Sequence, residues 1–119
     1  MAAEIQNDLG KIVLQDELIA TIAGYAASEN YGIVGMNAKK ATETFGELIK
    51  RENIKKGIQV TNVGPGQVDI DLFVTLEYGV SLPAVAQNAR QNVRYRVQDM
   101  TGLTVRNVNI HVESIRVQG

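Results

Sequence analysis

The stretch from Val68 to Ile115 reads VDIDLFVTLEYGVSLPAVAQNARQNVRYRVQDMTGLTVRNVNIHVESI, and it decides the fold. Apolar and polar residues alternate strictly from Val68 to Glu77, which predicts a strand with one buried face. A helix is predicted next, because Ser81 can cap it, Pro83 suits its first turn and an apolar stripe follows at helical spacing. Gly102 is suited to end this helix, after which a second long strand is predicted.

The alternation changes phase within that second strand. Leu103 and Val105 share one parity, whereas the later apolar residues, Val108, Ile110 and Val112, share the other. A change of this kind predicts a β-bulge near Arg106-Asn107.

The rest of the chain continues the mixture of strands and helices. We predict a strand at Gly10–Leu14, a helix capped by Asp16, a second helix capped by Asn37 and a strand at Ile58–Val63 that turns at Gly64-Pro65-Gly66. Residues 31–36 are a break or a short extended piece. The fold class predicted is α+β, a mainly antiparallel sheet with helices packed on it, in the order β-α-α-β-β-α-β. Residues 1–9 are expected to be a flexible lead-in, and residues 10–119 a single domain.

Composition narrows the chemistry. The chain has 119 residues, of which 45% are hydrophobic and 21% charged, as in a soluble globular domain. It has no cysteine, which excludes disulfides, thiolate metal sites and a cysteine nucleophile. The net charge of −1 gives no overall attraction to nucleic acid or anionic membrane. Because no apolar run approaches the roughly 20 residues of a membrane span, we expect a cytoplasmic protein that reaches the membrane only through a partner.

Three segments carry a resemblance to a known family. They are Glu29–Met36 (ENYGIVGM), the strand Val68–Gly79 that ends in Glu77-Tyr78-Gly79, and the region from Met100 to Val112 that contains MTGLTV and VNIHV. In this order they resemble the alkaline-shock or general-stress proteins of Gram-positive bacteria, also called the cell envelope stress response family. The resemblance covers about residues 9–117, and the chain is similar to the short, housekeeping-type members without long charged tails.

The resemblance implies a small cytoplasmic protein of cell-envelope homeostasis. In this family some members associate with themselves, and some are held at the membrane by a separate anchor protein. Genes of short members often lie beside a dihydroxyacetone-kinase-type kinase of fatty-acid use, so such a kinase is a further expected partner. The family has no established enzymatic activity, so the resemblance supplies no catalytic residue.

Two sets of polar residues are candidates for chemistry. His111 is the single histidine and could act as a general base, but no serine nucleophile is placed beside it by the sequence. Asp69 and Asp71 point to the same side of a strand and, with Glu77, could hold a hard cation or act as an acid–base pair. A structural strand histidine and a solvated strand face are the favoured interpretations. We therefore predict no catalytic, cofactor or metal site.

A GxxG motif supports an alternative function. Gly32 and Gly35 enclose Ile33-Val34 between two predicted helices, and Lys39 and Lys40 follow. This element order is that of a KH domain, in which the GxxG loop clamps the nucleic-acid backbone. The two central residues are large and apolar, which favours packing of Ile33 and Val34 into the core instead.

The remaining candidates are contact residues. Arg90 and Arg94 are like charges one helical turn apart, and with Tyr95 they could bind an acidic partner. Phe73 lies on the polar side of its strand, which suggests that this side of the sheet is covered by other elements or by a second copy. We therefore expect a non-enzymatic, self-associating interaction or scaffold protein, with a KH-like RNA-binding module as the alternative.

Overall fold

The computed structural model of the protein describes residues 2–36 and 57–117. These residues form two helices and six strands. In chain order they are β1 (Ala2–Asn7), β2 (Gly10–Gln15), α1 (Asp16–Ser28), β3 (Ile33–Met36), β4 (Ile58–Gly64), β5 (Gln67–Glu77), α2 (Leu82–Thr101) and β6 (Thr104–Arg116). The fold is α+β, as the sequence predicts.

Strand β5 is the centre of the main sheet. On one side, β4 pairs antiparallel with its first half and β3 pairs antiparallel with its second half. On the other side, β6 pairs with it in parallel along the whole strand. Parallel neighbours need a crossover connection, and α2 provides it. Strands β1 and β2 form a separate antiparallel hairpin.

The core lies between this sheet and the two helices. Its centre is formed by the alternate residues of β5 that the sequence pattern marks as buried, and each is fully inaccessible: Val68, Ile70, Leu72, Val74 and Leu76. Against them pack Ile19 and Ala23 from α1 and Val93 and Val97 from α2. Complete burial of each aliphatic side chain contributes about 1.5–3 kcal/mol, so β5 is the element on which the fold depends most.

Local sequence explains the ends of α2. The hydroxyl of Ser81 accepts a hydrogen bond from the Ala84 N–H at 3.4 Å. Pro83 lies in the first turn, where an N–H lacks a helical partner in any case. Gly102 ends the helix at a φ of 78°, a left-handed conformation that glycine adopts without steric cost. These three predictions are confirmed.

Several sequence-based expectations need correction. Residues 2–7 are strand β1 rather than a flexible lead-in, because β2 supplies a hydrogen-bonding partner that the polar composition does not reveal. Asp16 is the first residue of α1, whose N-cap position is Gln15, without a side-chain cap. Helical spacing also predicts that Leu18 of α1 and Leu82 and Met100 of α2 belong to the buried stripes of their helices, but these three residues are exposed.

Two predictions concern the region before β4. Residues 31–36, left open between break and strand, contain strand β3. The helix predicted after Asn37 falls at residues 37–56, outside the described residues.

Candidate interaction surface

The main sheet has two different faces. The face turned to α1 and α2 is apolar, as described above. The opposite face, here called the outer face, is formed by the intervening residues of β5 and their neighbours on β6: Asp69, Asp71, Phe73, Thr75, Glu77, Asn107, Asn109, His111, Ser114 and Arg116. Because side chains alternate along a strand, the same periodicity that builds the core also gathers these residues on one surface.

An ion pair stands at one end of the outer face. The Arg106 guanidinium donates to both carboxylate oxygens of Asp69, with Nη2 at 2.8 Å from Oδ2 and Nε at 3.3 Å from Oδ1. The backbone N–H of Asn107 also donates to Oδ1 at 3.0 Å. The hydrogen bond from Arg106, followed by its charge and the Asn107 N–H, lowers the pKa of Asp69 against a smaller opposing effect of burial. The Asp69 carboxylate is therefore held by Arg106 and Asn107 and has a structural role.

The centre of the outer face is a cluster around Phe73. The imidazole of His111 stacks on the Phe73 ring with 4.4 Å between centroids and 11° between planes. His111 Nε2 lies 3.0 Å from Oδ1 of Asp71, and the Asn109 amide donates to the same oxygen at 3.1 Å. Phe73 is half-buried by these neighbours. The outer face thus carries an aromatic centre bordered by polar groups that already bind one another.

The far end of the outer face is held by hydroxyls. Thr75 Oγ1 and Ser114 Oγ lie 2.6 Å apart, within hydrogen-bond distance. Beyond them the Tyr78 N–H donates to the Arg116 carbonyl at 3.0 Å, which ties the ends of β5 and β6 together.

Two bulges in β6 bring its polar residues to the outer face beside those of β5. The register with β5 shifts at Arg106, between the Val68/Val105 and Asp69/Asn107 pairs, and again at Glu113, between Val74/Val112 and Thr75/Ser114. The first bulge confirms the prediction at Arg106-Asn107, whereas the second was missed. The signal for it is present in the spacing of Val112 and Ile115, which breaks the alternation once more.

Arg90, Arg94 and Tyr95 form a separate surface on α2. They line a shallow depression of about 330 Å³ with three glutamines of the same helix, Gln87, Gln91 and Gln98. Arg94 donates to the Arg106 carbonyl at 3.1 Å, and Tyr95 is 67% exposed. Because α2 covers the core side of the sheet, the structure does not bring these residues together with Phe73.

The glycines of the GxxG motif lie in a different setting from a KH loop. Gly32 has a φ of 97° in the turn before β3, but Gly35 lies within β3 and pairs with Thr75 of β5. Ile33 pairs with Leu76 and packs against the core. The packing into the core that the sequence favours is confirmed for Ile33, and cross-strand pairing to β5 makes this segment a strand. Lys39 and Lys40 lie outside the described residues.

The acidic residues do not converge on a metal site. Asp69 and Asp71 are held by different partners on β6, as given above. In residues 2–36 and 57–117 no group of three histidine, cysteine, aspartate or glutamate side chains could hold a metal ion. What the outer face offers is a set of aromatic and polar contacts in fixed positions.

A known protein family matches most of the chain. Residues 4–117 match the model of the alkaline shock protein 23 family, which is described as having a cell envelope-related function. The chain belongs to this family. The resemblance inferred from the three sequence segments is thereby confirmed.

Relatives in the alkaline shock protein 23 family come from Gram-positive bacteria. YloU of Bacillus subtilis is 38% identical over 98% of both chains. YqhY of the same organism is 37% identical over 91% of this chain and 78% of its own length. A Streptococcus pyogenes protein named stress response regulator gls24 homolog is 29% identical over 92% of this chain and 60% of its own length. No solved structure matches the chain. None of the described helices is both long and apolar enough to cross a membrane.

Proposed function

We propose that this protein is a non-enzymatic interaction module of the cell envelope stress response, and that copies of it associate through the outer face of the sheet. The observation that carries the proposal is the half-buried Phe73 at the centre of that face. Aromatic residues surrounded by polar contacts are typical of the energetic centres of protein interfaces. A family of cell envelope-related function and relatives named stress response regulators support the biological setting.

The polar groups around Phe73 favour association for a second reason. Asp69, Asp71 and Thr75 already have hydrogen-bonding partners on β6. Burying a polar group costs most when it loses water without gaining a partner. A partner that covers the outer face therefore leaves few polar groups without a hydrogen bond. Few side chains lose conformational freedom on binding, because they are already held in place.

Light scattering tests this part of the proposal. Phe73→Asp places a charge at the centre of the outer face, so we expect a smaller particle than the wild-type protein gives. Leu9→Asp is the matched control, because Leu9 is 97% exposed on the hairpin turn, away from the sheet. An unchanged mass for Phe73→Asp, with the wild type associated, contradicts association through this face.

A second contact is proposed at α2. Arg90, Arg94 and Tyr95 present two cations and an aromatic ring, which suits an acidic partner. The partner classes that the family suggests are a membrane-anchor protein and a dihydroxyacetone-kinase-type fatty-acid kinase, on the cytoplasmic side of the membrane. Either partner would place the protein at its site of action.

Affinity capture from native cells, with and without nuclease, tests the α2 contact. We expect a nuclease-resistant anchor protein or kinase that is lost with Arg90→Glu and retained with Lys11→Glu, the same charge change on the hairpin. Capture of a protein set that disappears with nuclease contradicts the proposal and favours the RNA-binding alternative. Equal capture by both variants removes the α2 surface from the proposal.

A further inference from the structure

Strand β6 forms an edge of the described part of the sheet. Its strand partner among the described residues is β5, on one side only. The strand is 13 residues long, and its core-side residues become progressively exposed along it. Val105 and Val108 are 3% and 5% exposed, whereas Val112 and Ile115 are 37% and 43% exposed. A long edge with apolar side chains is a template for pairing with another strand.

The start of this edge is already occupied by α2. Gln98 Oε1 accepts a hydrogen bond from the Val105 N–H at 2.9 Å, and Arg94 donates to the Arg106 carbonyl at 3.1 Å. Side chains that bind edge groups in this way end a ladder. Strand pairing on this edge is thus directed to the part of β6 after Arg106.

The sequence of this part is self-complementary. It reads VNIHV from Val108 to Val112, which is symmetric about Ile110 in its apolar positions. In an antiparallel pair centred on Ile110, Val108 faces Val112 of the second copy and Ile110 faces itself. Directly opposed residues point to the same side of a sheet. The three apolar side chains are on the core side, since they pair with the buried Ile70, Leu72 and Val74 of β5.

The bulges select the same register. Between Val105 and Val108 there are two residues, Arg106 and Asn107, and between Val112 and Ile115 there are again two, Glu113 and Ser114. With Ile110 at the centre, each bulge of one copy lies opposite the other bulge of its partner. Moving the centre by one residue to Asn109 sets the bulge residue Arg106 against the core-side Val112. This change is a two-residue slip of the pairing, which keeps Val108 and Ile110 on the core side but opposes a bulge to Val112. A one-residue slip sets Ile110 against Asn109 and moves side chains to the wrong face, so the register centred on Ile110 is favoured over both.

The charged residues of β6 are also placed favourably in this register. Arg106 of one copy lies opposite Ser114 of the other, and Asn107 lies opposite Glu113. Arg106 and Glu113 are therefore diagonal neighbours at both ends of the paired segment. Arg116 lies opposite Thr104, so no like charges are opposed. Opposite charges across strands stabilise a pair, and like charges disfavour it.

We propose that β6 pairs antiparallel with β6 of a second copy about a two-fold axis at Ile110, joining two sheets into one continuous sheet. The inference rests on the proposed self-association and adds to it a second contact, at the edge of the sheet. It uses the edge of the sheet, so it is independent of the contact at Phe73. The partner's strand covers Val112, an apolar residue that the single chain leaves 37% exposed.

Cysteine cross-linking tests the register, because the chain has no native cysteine. In the proposed pair the Cα atoms of the two residues at position 110 are about 4.5–5.5 Å apart, within disulfide range. Residues at position 112 are about 13 Å from each other, since they are four residues apart along the strands. We expect Ile110→Cys to form a covalent dimer under mild oxidation, and Val112→Cys alone to remain monomeric on a denaturing gel.

A mixing experiment checks the same geometry in a second way. Val108→Cys and Val112→Cys are opposed across the pair, so they should cross-link when the two variants are mixed and not when each is alone. Cross-linking of Val112→Cys with itself, or none at Ile110→Cys in an associated protein, overturns the proposed register.

A charge variant distinguishes association through the β6 edge from association through the outer face. Val112→Lys should shift the protein toward the monomer in light scattering, whereas Val117→Lys, at a 65% exposed residue beyond the pairing, should not. A wild-type protein that is monomeric at all accessible concentrations contradicts both the proposed self-association and this inference. An associated protein that responds to Phe73→Asp but not to Val112→Lys contradicts the edge pairing alone.

Discussion

The imidazole of His111 stacks on the ring of Phe73, with 4.4 Å between ring centroids and 11° between the ring planes. The two residues are directly paired across the parallel strands β5 and β6. The contact therefore joins the central strand to the edge strand, on the face that is proposed to bind a second copy.

A double-mutant cycle should detect this contact in the folded chain. We expect Phe73→Leu and His111→Ala to be non-additive, with a coupling free energy of about 0.5–1.5 kcal/mol from ring stacking. Urea unfolding of the wild type, both single variants and the double variant provides the measurement. Phe73→Leu combined with Leu9→Ala is the control pair, and its effects should add. Additive effects at Phe73 and His111 contradict an energetic role for the stack.

Gly32 should be more sensitive to substitution than Gly79. Both have positive φ, 97° and 100°, so alanine costs about 1–3 kcal/mol of backbone strain at either position. A Cβ at Gly32 also lies 2.8 Å from Val85 Cγ2, whereas one at Gly79 meets nothing within 4 Å. We expect Gly32→Ala to lose more unfolding free energy than Gly79→Ala in urea titrations. Equal losses contradict the close packing of this turn against α2.

Leu72 should contribute more to stability than any exposed leucine. It is fully buried at the middle of β5, so Leu72→Ala removes apolar contacts and leaves a cavity that costs about 2–5 kcal/mol. The same change at Leu9, which is 97% exposed, should alter the unfolding free energy by less than about 0.5 kcal/mol. Chemical denaturation of both variants tests the difference, and comparable losses contradict the assigned core.

The free energy of unfolding should depend on pH through Asp69. Its pKa in the folded protein is lowered from the ordinary value of 3.8, chiefly by the hydrogen bond from Arg106. The stabilisation is therefore complete above 3.8 and is lost as the pH falls through the lower folded value, because the unfolded chain binds the proton first. In Asp69→Asn this component is absent, so the difference from wild type in unfolding free energy should narrow on acidification.

Urea unfolding at a series of pH values measures this component. Arg106→Gln should reduce it as well, since it removes the principal donor. Thr61→Ala, a non-ionisable change at the β4 residue paired with Asp69, should shift stability by the same amount at every pH. A constant difference between wild type and Asp69→Asn across the acidic range contradicts the role given to this carboxylate.

Much of the fold could be predicted because its signals are local. The alternation in Val68–Glu77 placed β5 and its buried face, and Ser81 and Gly102 placed the two ends of α2. Strand β1 was missed, because its alternation is limited to Ala3 and Ile5 and its stability comes from pairing with β2. The KH-like loop stayed open as an alternative for the complementary reason, since glycine spacing alone does not reveal that Gly35 pairs with Thr75.

The candidate site was predicted only as separate residues. Phe73 stood out as an aromatic residue on a polar strand face, and His111 as the single histidine, but nothing in the sequence joined them. Their contact depends on the parallel register of β5 with β6 and on the bulge at Arg106. The outer face is therefore a product of strand pairing between segments about 38 residues apart.

The sequence by itself determined which segments are strands or helices in the second half of the chain, most of the residues that are buried there and the family to which the chain belongs. The secondary structure and the buried residues follow from periodicity, capping residues and turns, each of which acts over a few neighbouring positions, whereas the family was indicated by the resemblance of three segments. Only the tertiary structure decided that β6 runs parallel to β5, that Asp69 meets Arg106 and Phe73 meets His111, and that β6 forms an edge. Pairing direction and register depend on distant segments that share one core, and this information is absent from any local stretch of sequence.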